Sequence, residues 1–199
     1  EGGIKYDARG LGDGIKLFTT LSVYKITQKN LVATQNGLTP VFGTQVGEVE
    51  AKGGEFEIVA RIRDQLSINA SYSYTDTEVT KSVNGDLGDP LPTTPKHKLS
   101  GLVDYTFQMG ALGGFGAGVG VRYLSKSAGS LVGAFNPSVI YSKSTTLFDA
   151  IIHYDLPQWR FAINGSNIFD KKYVGRCASP ANCIYGQARQ IMGTVTRKF

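Results

Sequence analysis

The closing stretch Arg189-Gln190-Ile191-Met192-Gly193-Thr194-Val195-Thr196-Arg197-Lys198-Phe199 carries a period of two. Ile191, Gly193, Val195 and Phe199 share one parity; Gln190, Met192, Thr194, Thr196 and Lys198 share the other. Successive side chains of a strand point to opposite faces, so this period predicts β-structure. The strand continues to a terminal aromatic. Chain ends fray unless something ties them down. A membrane barrel pairs its last strand on both edges, and an aromatic suits the lipid–water boundary. The stretch therefore reads as the closing strand of an antiparallel transmembrane β-barrel.

The same alternation recurs upstream. Leu66, Ile68, Ala70, Tyr72 and Tyr74 alternate with Ser67, Asn69, Ser71, Ser73 and Thr75. Leu99 to Gln108, Phe115 to Tyr123, Leu147 to Tyr154 and Trp159 to Asn164 repeat it, each with one apolar and one mainly polar face. Each is near the length that a tilted strand needs to cross a bilayer, about 9–11 residues. Ile15–Gln28 is apolar on both parities, so its faces stay open. In Thr44–Arg61 the apolar parity switches from Val49 and Ala51 to Phe56, Ile58 and Ala60, which predicts a β-bulge at Gly53–Gly54. Gly3–Arg9 reads as the end of another strand, for nine in all.

The 25 glycines, 10 tyrosines and 10 phenylalanines fit such a wall, and only 19% of residues are charged. No run approaches the roughly 20 apolar residues of a membrane-spanning helix. The net charge of +5 is scattered, without a basic stripe interleaved with aromatics, which argues against a nucleic-acid partner. Short connections near 11–14, 63–65, 109–113 and 155–158 alternate with long ones at 30–42, 77–95, 125–143 and 167–188. Outer-membrane barrels pair short periplasmic turns with long extracellular loops. The C-terminus is therefore expected on the periplasmic side. Bacterial barrels have even strand numbers. Nine strands, the first without a partner, lead to the expectation that residues 1–199 are the C-terminal portion of a larger barrel.

From about Lys16 onward the chain resembles TonB-dependent outer-membrane receptors of the siderophore class. The resemblance is carried by Gly47–Glu57, Ser71–Thr80, Leu91–His97, Asn164–Val174 and Tyr185–Phe199, most specifically by Asn167-Ile168-Phe169-Asp170-Lys171-Lys172-Tyr173. It implies a 22-stranded barrel, about nine strands of it here, with the plug domain and TonB box absent from these residues. It also implies a Gram-negative outer-membrane location, a ferric siderophore as transported ligand with no covalent cofactor, and three partners. These are TonB through the plug, the rest of the same barrel, and outer-membrane lipid or lipopolysaccharide. Cys177 and Cys183, followed by Ile184-Tyr185-Gly186, resemble the ferrichrome and ferrioxamine (hydroxamate-type) receptors, which carry a short disulfide in the last extracellular loop. Ala178 stands where those receptors often have an aromatic, and Arg197 where the third residue from the end is usually aromatic or apolar.

No catalytic set emerges, and the resemblance implies a transporter rather than an enzyme; a passive porin-like channel and receptors for other chelates or cobalamin are the alternatives. The two cysteines lie close together in a loop expected to face an oxidising medium, which favours a disulfide; no neighbouring His or Cys completes a four-ligand metal site. Tyr185, Tyr141, Phe135 and Tyr173, in or beside the long loops, are the candidate ligand contacts, against ordinary loop packing. Arg176 and Arg189 are weighed as positive charge near the mouth, against surface solvation. His97 and His153 read as solvated or hydrogen-bonded lumen residues. Glu48, Glu50, Glu55 and Glu57 read as one polar lumen wall, and the glycines of 113–120 as small residues in a crowded lumen. Trp159, Tyr154, Phe107 and Phe199 are expected in the periplasmic aromatic girdle, Tyr74 and Tyr123 in the outer one.

Overall fold

The computed structural model describes residues 1–9, 12, 14–34, 43–83, 85–130, 139–179 and 182–198. Nine strands form one antiparallel sheet, numbered along the chain. They are β1 (Gly2–Arg9), β2 (Ile15–Thr34), β3 (Gly43–Ile62), β4 (Leu66–Lys81), β5 (His97–Thr106), β6 (Phe115–Leu124), β9 (Thr145–Asp155), β10 (Trp159–Ser166) and β13 (Gln190–Arg197), each paired with the next. The missing numbers are two hairpins inside the long connections: β7 (Ser127–Ser130) with β8 (Ile140–Ser142), and β11 (Val174–Ser179) with β12 (Asn182–Tyr185). The nine strands expected from alternation are the nine of the main sheet. The two hairpins are too short to show a period and were not anticipated.

Register separates the two faces. Ser71, Ser100 and Arg122 lie in one cross-strand row, and Ala70, Gly101, Val121 and Phe148 in the adjacent row of opposite parity. Clefts of about 450, 640 and 660 Å³ open on the side of Ser71, Ser100, Asp104 and Arg122, making that face the concave one. The other face holds Leu21, Phe56, Tyr72, Val103, Val119, Ile152, Phe161, Ile163, Ile191 and Val195, all exposed. Val119 is 68% exposed and Ile163 58%. So continuous an apolar surface is not left to water by a soluble sheet; it is what a lipid-facing wall requires. Among the described residues the buried apolar side chains are few (Val49, Ala60, Val79, Ala128, Leu147 and Cys177), and several belong to the loop end of the wall.

The register of β2 settles the face left open in the sequence. Leu17, Leu21 and Val23 share the outer parity, while Phe18, Thr20, Ser22 and Tyr24 face inward. The bulge expected at Gly53–Gly54 is absent: Tyr24–Gly53–Thr75 and Val23–Gly54–Tyr74 pair without interruption, and the irregularities fall near Leu31 and Glu48 instead. The parity of apolar residues changes because the environment changes. Below Gly54 the outer face meets lipid. Above it, β2, β3 and β4 rise past the membrane as strands of 20, 20 and 16 residues. There the inner side is the covered one: Val79 is buried and Thr77 Oγ1 accepts the Leu91 amide at 3.0 Å. Glu48 and Glu50 consequently face outward, and only Glu55 and Glu57 face the interior, which corrects the expectation of one four-carboxylate inner wall. The extensions also shorten the long connections at 30–42 and 77–95.

Aromatic residues mark the two ends of the apolar band. Phe107 meets Tyr105 edge-to-face and stacks on Phe115, and Trp159 stacks on Phe161, at the end with short turns. Arg197 places its guanidinium 5.6 Å from the Trp159 ring, so its charge is held against an aromatic face on the outer wall. Tyr72, Tyr74 and His97 cluster at the other end, with the Tyr72 hydroxyl 2.8 Å from His97 Nδ1. His97 therefore stands on the outer wall and not in the lumen. Phe199 lies outside the described residues.

Candidate ligand-facing wall and loop cluster

The inner face is built mostly of hydroxyls and amides. Thr20, Ser22, Ser71, Ser73, Ser100, Asn69, Asn164 and Ser166 line the two upper clefts together with Glu55, Glu57, Lys98 and Arg122. Arg122 makes a bidentate contact to Asp149, Nε to Oδ2 at 2.6 Å and Nη2 to Oδ1 at 2.7 Å. Asp149 Oδ1 also accepts the Asn167 amide at 2.9 Å. That contact joins the wall to the turn Asn167–Tyr173, the most specific part of the sequence resemblance.

The turn is held by one side chain. Asn167 is almost wholly buried; its Nδ2 donates to the carbonyls of Lys171 at 3.0 Å and Gln187 at 3.1 Å, and its Oδ1 accepts the Lys171 amide at 2.9 Å. Asp170 Oδ1 accepts the Arg189 amide at 2.9 Å, and Arg189 Nη1 donates to the Ile168 carbonyl at 3.4 Å. Asn167 and Asp170 both adopt left-handed backbone, with φ 49° and 51°. Asparagine and aspartate tolerate that region better than other side-chain-bearing residues. Arg189 thus helps close this turn, whereas Arg176 is exposed on β11.

Above the turn stands the β11–β12 hairpin. Cys177 and Cys183 pair in register and form a disulfide with an S–S length of 2.02 Å. Cys177 is buried because the hairpin packs on β7 and β8. A Cβ on Gly129 would collide with the Cys177 carbonyl, so only glycine permits this approach. The β7 strand is tied in turn to the preceding long connection through Thr93 N to the Ala128 carbonyl at 2.6 Å. Three loops therefore pack as one body. Replacing both cysteines by serine removes about 2–3 kcal/mol of constraint on this short loop. Hydrogen exchange should then quicken across 174–185 and leave the amides of β9 and β10 unchanged; faster exchange throughout the sheet would contradict a local role.

Among the described residues, the candidate ligand contacts come from two different connections. Tyr173 faces the 640 Å³ cleft beside Arg122, Lys98 and Leu147. Tyr185 is adjacent to it at the base of the hairpin, paired with Val174, and is exposed. Tyr141 lies on the other hairpin with Lys126 Nζ 5.1 Å above its ring. Phe135 lies outside the described residues. Arg122, Lys98 and Asp149 are polar groups of the same cleft region that sequence reasoning did not select. The signal was present in Arg122, the one charged residue on the glycine parity of β6.

At the opposite end of the wall, His153 is fully buried. Its Nε2 lies 3.1 Å from Asp104 Oδ1, and its Nδ1 lies 2.8 Å from Asp155 Oδ2. Asp155 also meets Arg160 Nη1 at 3.1 Å and Lys198 Nζ at 3.6 Å. The imidazole lies over Gly116, where a Cβ would overlap the ring, and a Cβ on Gly118 would fall 2.7 Å from Asp104 Oδ2. The glycine parity of β6 thus makes room for a charged tie that reaches β5, β9, β10 and the residue after β13.

An antiparallel wall with a lipid-facing apolar side, a hydroxyl- and charge-lined concave side, short turns at one end and packed loops at the other defines part of an outer-membrane-type β-barrel. The chain belongs to the TonB dependent receptor-like, beta-barrel family, whose model matches residues 1–168. It is 33% identical over 205 residues to the ferrichrome outer membrane transporter/phage receptor of Escherichia coli K12, covering all of this chain and 26% of that protein. It is 31% identical to the ferrioxamine B receptor of Salmonella typhimurium SL1344, covering all of this chain and 28% of that protein. The chain spans about a quarter of the length of these curated relatives. Among solved structures it shares the fold of the siderophore receptor PiuA from Acinetobacter baumannii, with TM-score 0.76 and 19% identity over 98% of this chain and 28% of that one. The ferric-catecholate import receptor Fiu from E. coli K12 matches with TM-score 0.73 and 20% identity over 97% of this chain and 26% of that one.

Proposed function

We propose that the chain is the C-terminal part of the barrel of a Gram-negative outer-membrane receptor that takes up a ferric siderophore of the hydroxamate type. In this reading the remaining strands and the plug lie in sequence outside these residues, TonB acts through that plug, and the C-terminal end of the wall faces the periplasm. The observation that carries the reading is 33% identity along the entire chain to a ferrichrome transporter. A disulfide hairpin in the last long connection, the element shared with the hydroxamate-type receptors, supports it. Transport of this kind forms no covalent bond, so the polar groups serve to bind and position. Tyr173 and Tyr185, with Tyr141 and Phe135 on the neighbouring connection, are the proposed ligand contacts, and Arg122, which lines the same cleft as Tyr173, is the proposed cation.

A second reading, uptake of a different metal chelate, is supported by 30% identity over the whole chain to the metal-pseudopaline receptor CntO of Pseudomonas aeruginosa. Uptake of ferric ferrichrome, ferric ferrioxamine and a pseudopaline-type chelate by a receptor-deletion strain carrying the intact gene separates the two. Ferric hydroxamate uptake is expected, and Tyr173→Ala should weaken ligand binding about tenfold, the loss of one aromatic contact. No uptake of any chelate removes the transport reading.

A further inference from the structure

Tyr173 ends the Asn167–Tyr173 turn and leads into the β11–β12 hairpin, and hydrogen bonds fix its backbone from both sides. Ahead of it, Asn167 binds both main-chain groups of Lys171, and Asp149 accepts the Asn167 amide. The Tyr173 carbonyl accepts the Gly186 amide at 2.9 Å, which closes the base of the hairpin next to the Val174–Tyr185 pair. These bonds place the main chain of Tyr173. None of them orients its ring.

The ring is set by Gly186. A Cβ built there would fall among Cζ, Cε1 and Cε2 of Tyr173, the three carbons at the hydroxyl end. The phenol therefore lies across the Gly186 backbone, in space that any side chain at this position would fill. Tyr173 is half-buried, with the ring against Gly186 on one side and the 640 Å³ cleft of Arg122, Lys98, Leu124 and Leu147 on the other. The backbone at Gly186 is not left-handed, so conformation does not call for glycine. The ring does. Gly175, its neighbour across the hairpin base, differs: a Cβ there would meet Gly186 Cα at 3.5 Å, an ordinary contact.

We infer that Gly186 is a positioning residue of the ligand cleft. Having no side chain, it lets the Tyr173 ring lie back against the hairpin and so fixes where the aromatic wall on the loop side of the cleft stands. A methyl at position 186 has two ways to be accommodated, and both reach the cleft. The ring turns toward Arg122 and Leu147 and takes up cleft volume, or the hairpin base shifts and carries the ring away. In either case the ring leaves the place from which it meets a chelate. The role rests on the reading of Tyr173 as a contact for a ferric hydroxamate.

Binding of ferric ferrichrome and ferric ferrioxamine to the intact receptor in detergent tests it. Gly186→Ala should weaken whichever chelate the wild type binds about tenfold, as Tyr173→Ala does. In the Tyr173→Ala background the same substitution should cost less than about twofold, since the ring it displaces is gone. Gly175→Ala should leave affinity unchanged. In uptake assays the Gly186→Ala defect should be a higher half-saturating concentration at an unchanged maximal rate, the signature of a lost binding contact. A fluorinated tyrosine at position 173 reports on the ring without any ligand: its fluorine resonance should move in Gly186→Ala and stay in Gly175→Ala. An unmoved resonance, an equal loss with and without the Tyr173 ring, or as large a loss in Gly175→Ala overturns the positioning role and leaves the transport reading standing. A wild-type receptor that binds neither chelate sinks the transport reading, and the role with it.

Discussion

Gly116→Ala should destabilise the wall by about 3 kcal/mol, although alanine is an ordinary strand residue and the backbone there is not left-handed. The added methyl must occupy the volume of the His153 imidazole. Displacing that ring takes His153 Nε2 away from Asp104 Oδ1, and Asp104 Oδ2 is already buried without a hydrogen bond. Leaving a buried polar group without its hydrogen-bond partner costs about 1–3 kcal/mol, and forcing a methyl into a packed site adds about 1–3 kcal/mol. Asp155 suffers less, since Arg160 and Lys198 remain beside it. Urea unfolding in lipid vesicles measures the loss. The double variant Gly116→Ala with His153→Ala supplies the decisive comparison. If the methyl acts only through the imidazole, adding it to His153→Ala should cost less than about 1 kcal/mol. Strict additivity of the two single effects would mean that Gly116 matters for some other reason.

Asn167→Ala should cost about 3 kcal/mol, and the loss should be confined to the last long connection. The substitution leaves the Lys171 amide and the carbonyls of Lys171 and Gln187 without this partner in a buried turn. Alanine at φ 49° also keeps the Cβ penalty of roughly 1 kcal/mol without the local hydrogen bonds by which asparagine offsets it. Asn167→Gly should recover only the second part, which separates strain from hydrogen bonding. Hydrogen exchange and limited proteolysis should show residues 167–189 opening while the Cys177–Cys183 bond stays intact. Because Asp149 accepts the Asn167 amide and grips Arg122, the variant should also weaken ligand binding at the cleft. A variant that melts the whole wall would instead give Asn167 a global role.

The alternating segments were legible because a strand between lipid and a polar interior repeats every two residues. The same logic failed at Gly53–Gly54. A parity switch in a single sequence has two explanations, an inserted residue or an exchanged environment, and only the pairing of β3 with both neighbours shows the second. Glu48 and Glu50 were misplaced for that reason. His97 shares the parity of Leu99, Gly101, Val103 and Tyr105, so the alternation itself points to the outer wall; the lumen expectation followed the polarity of the side chain instead. The hairpins β7–β8 and β11–β12 escaped notice because segments of three to six residues carry too few side chains to show a period. The cysteines and the Asn167–Tyr173 turn were visible as motifs. Their work was not: Cys177 against Gly129, and Asn167 bridging to Gln187, are contacts between residues far apart along the chain.

By itself the order of residues determined that this chain is a wall of alternating strands, where its main turns fall, and which two cysteines pair, since each depends on neighbours within a few positions. Tertiary structure alone decided which charges face inward, why β6 carries glycine opposite His153, and how three loops become one body. Those outcomes depend on cross-strand register and on close approach between distant segments, and neither leaves a local trace in sequence.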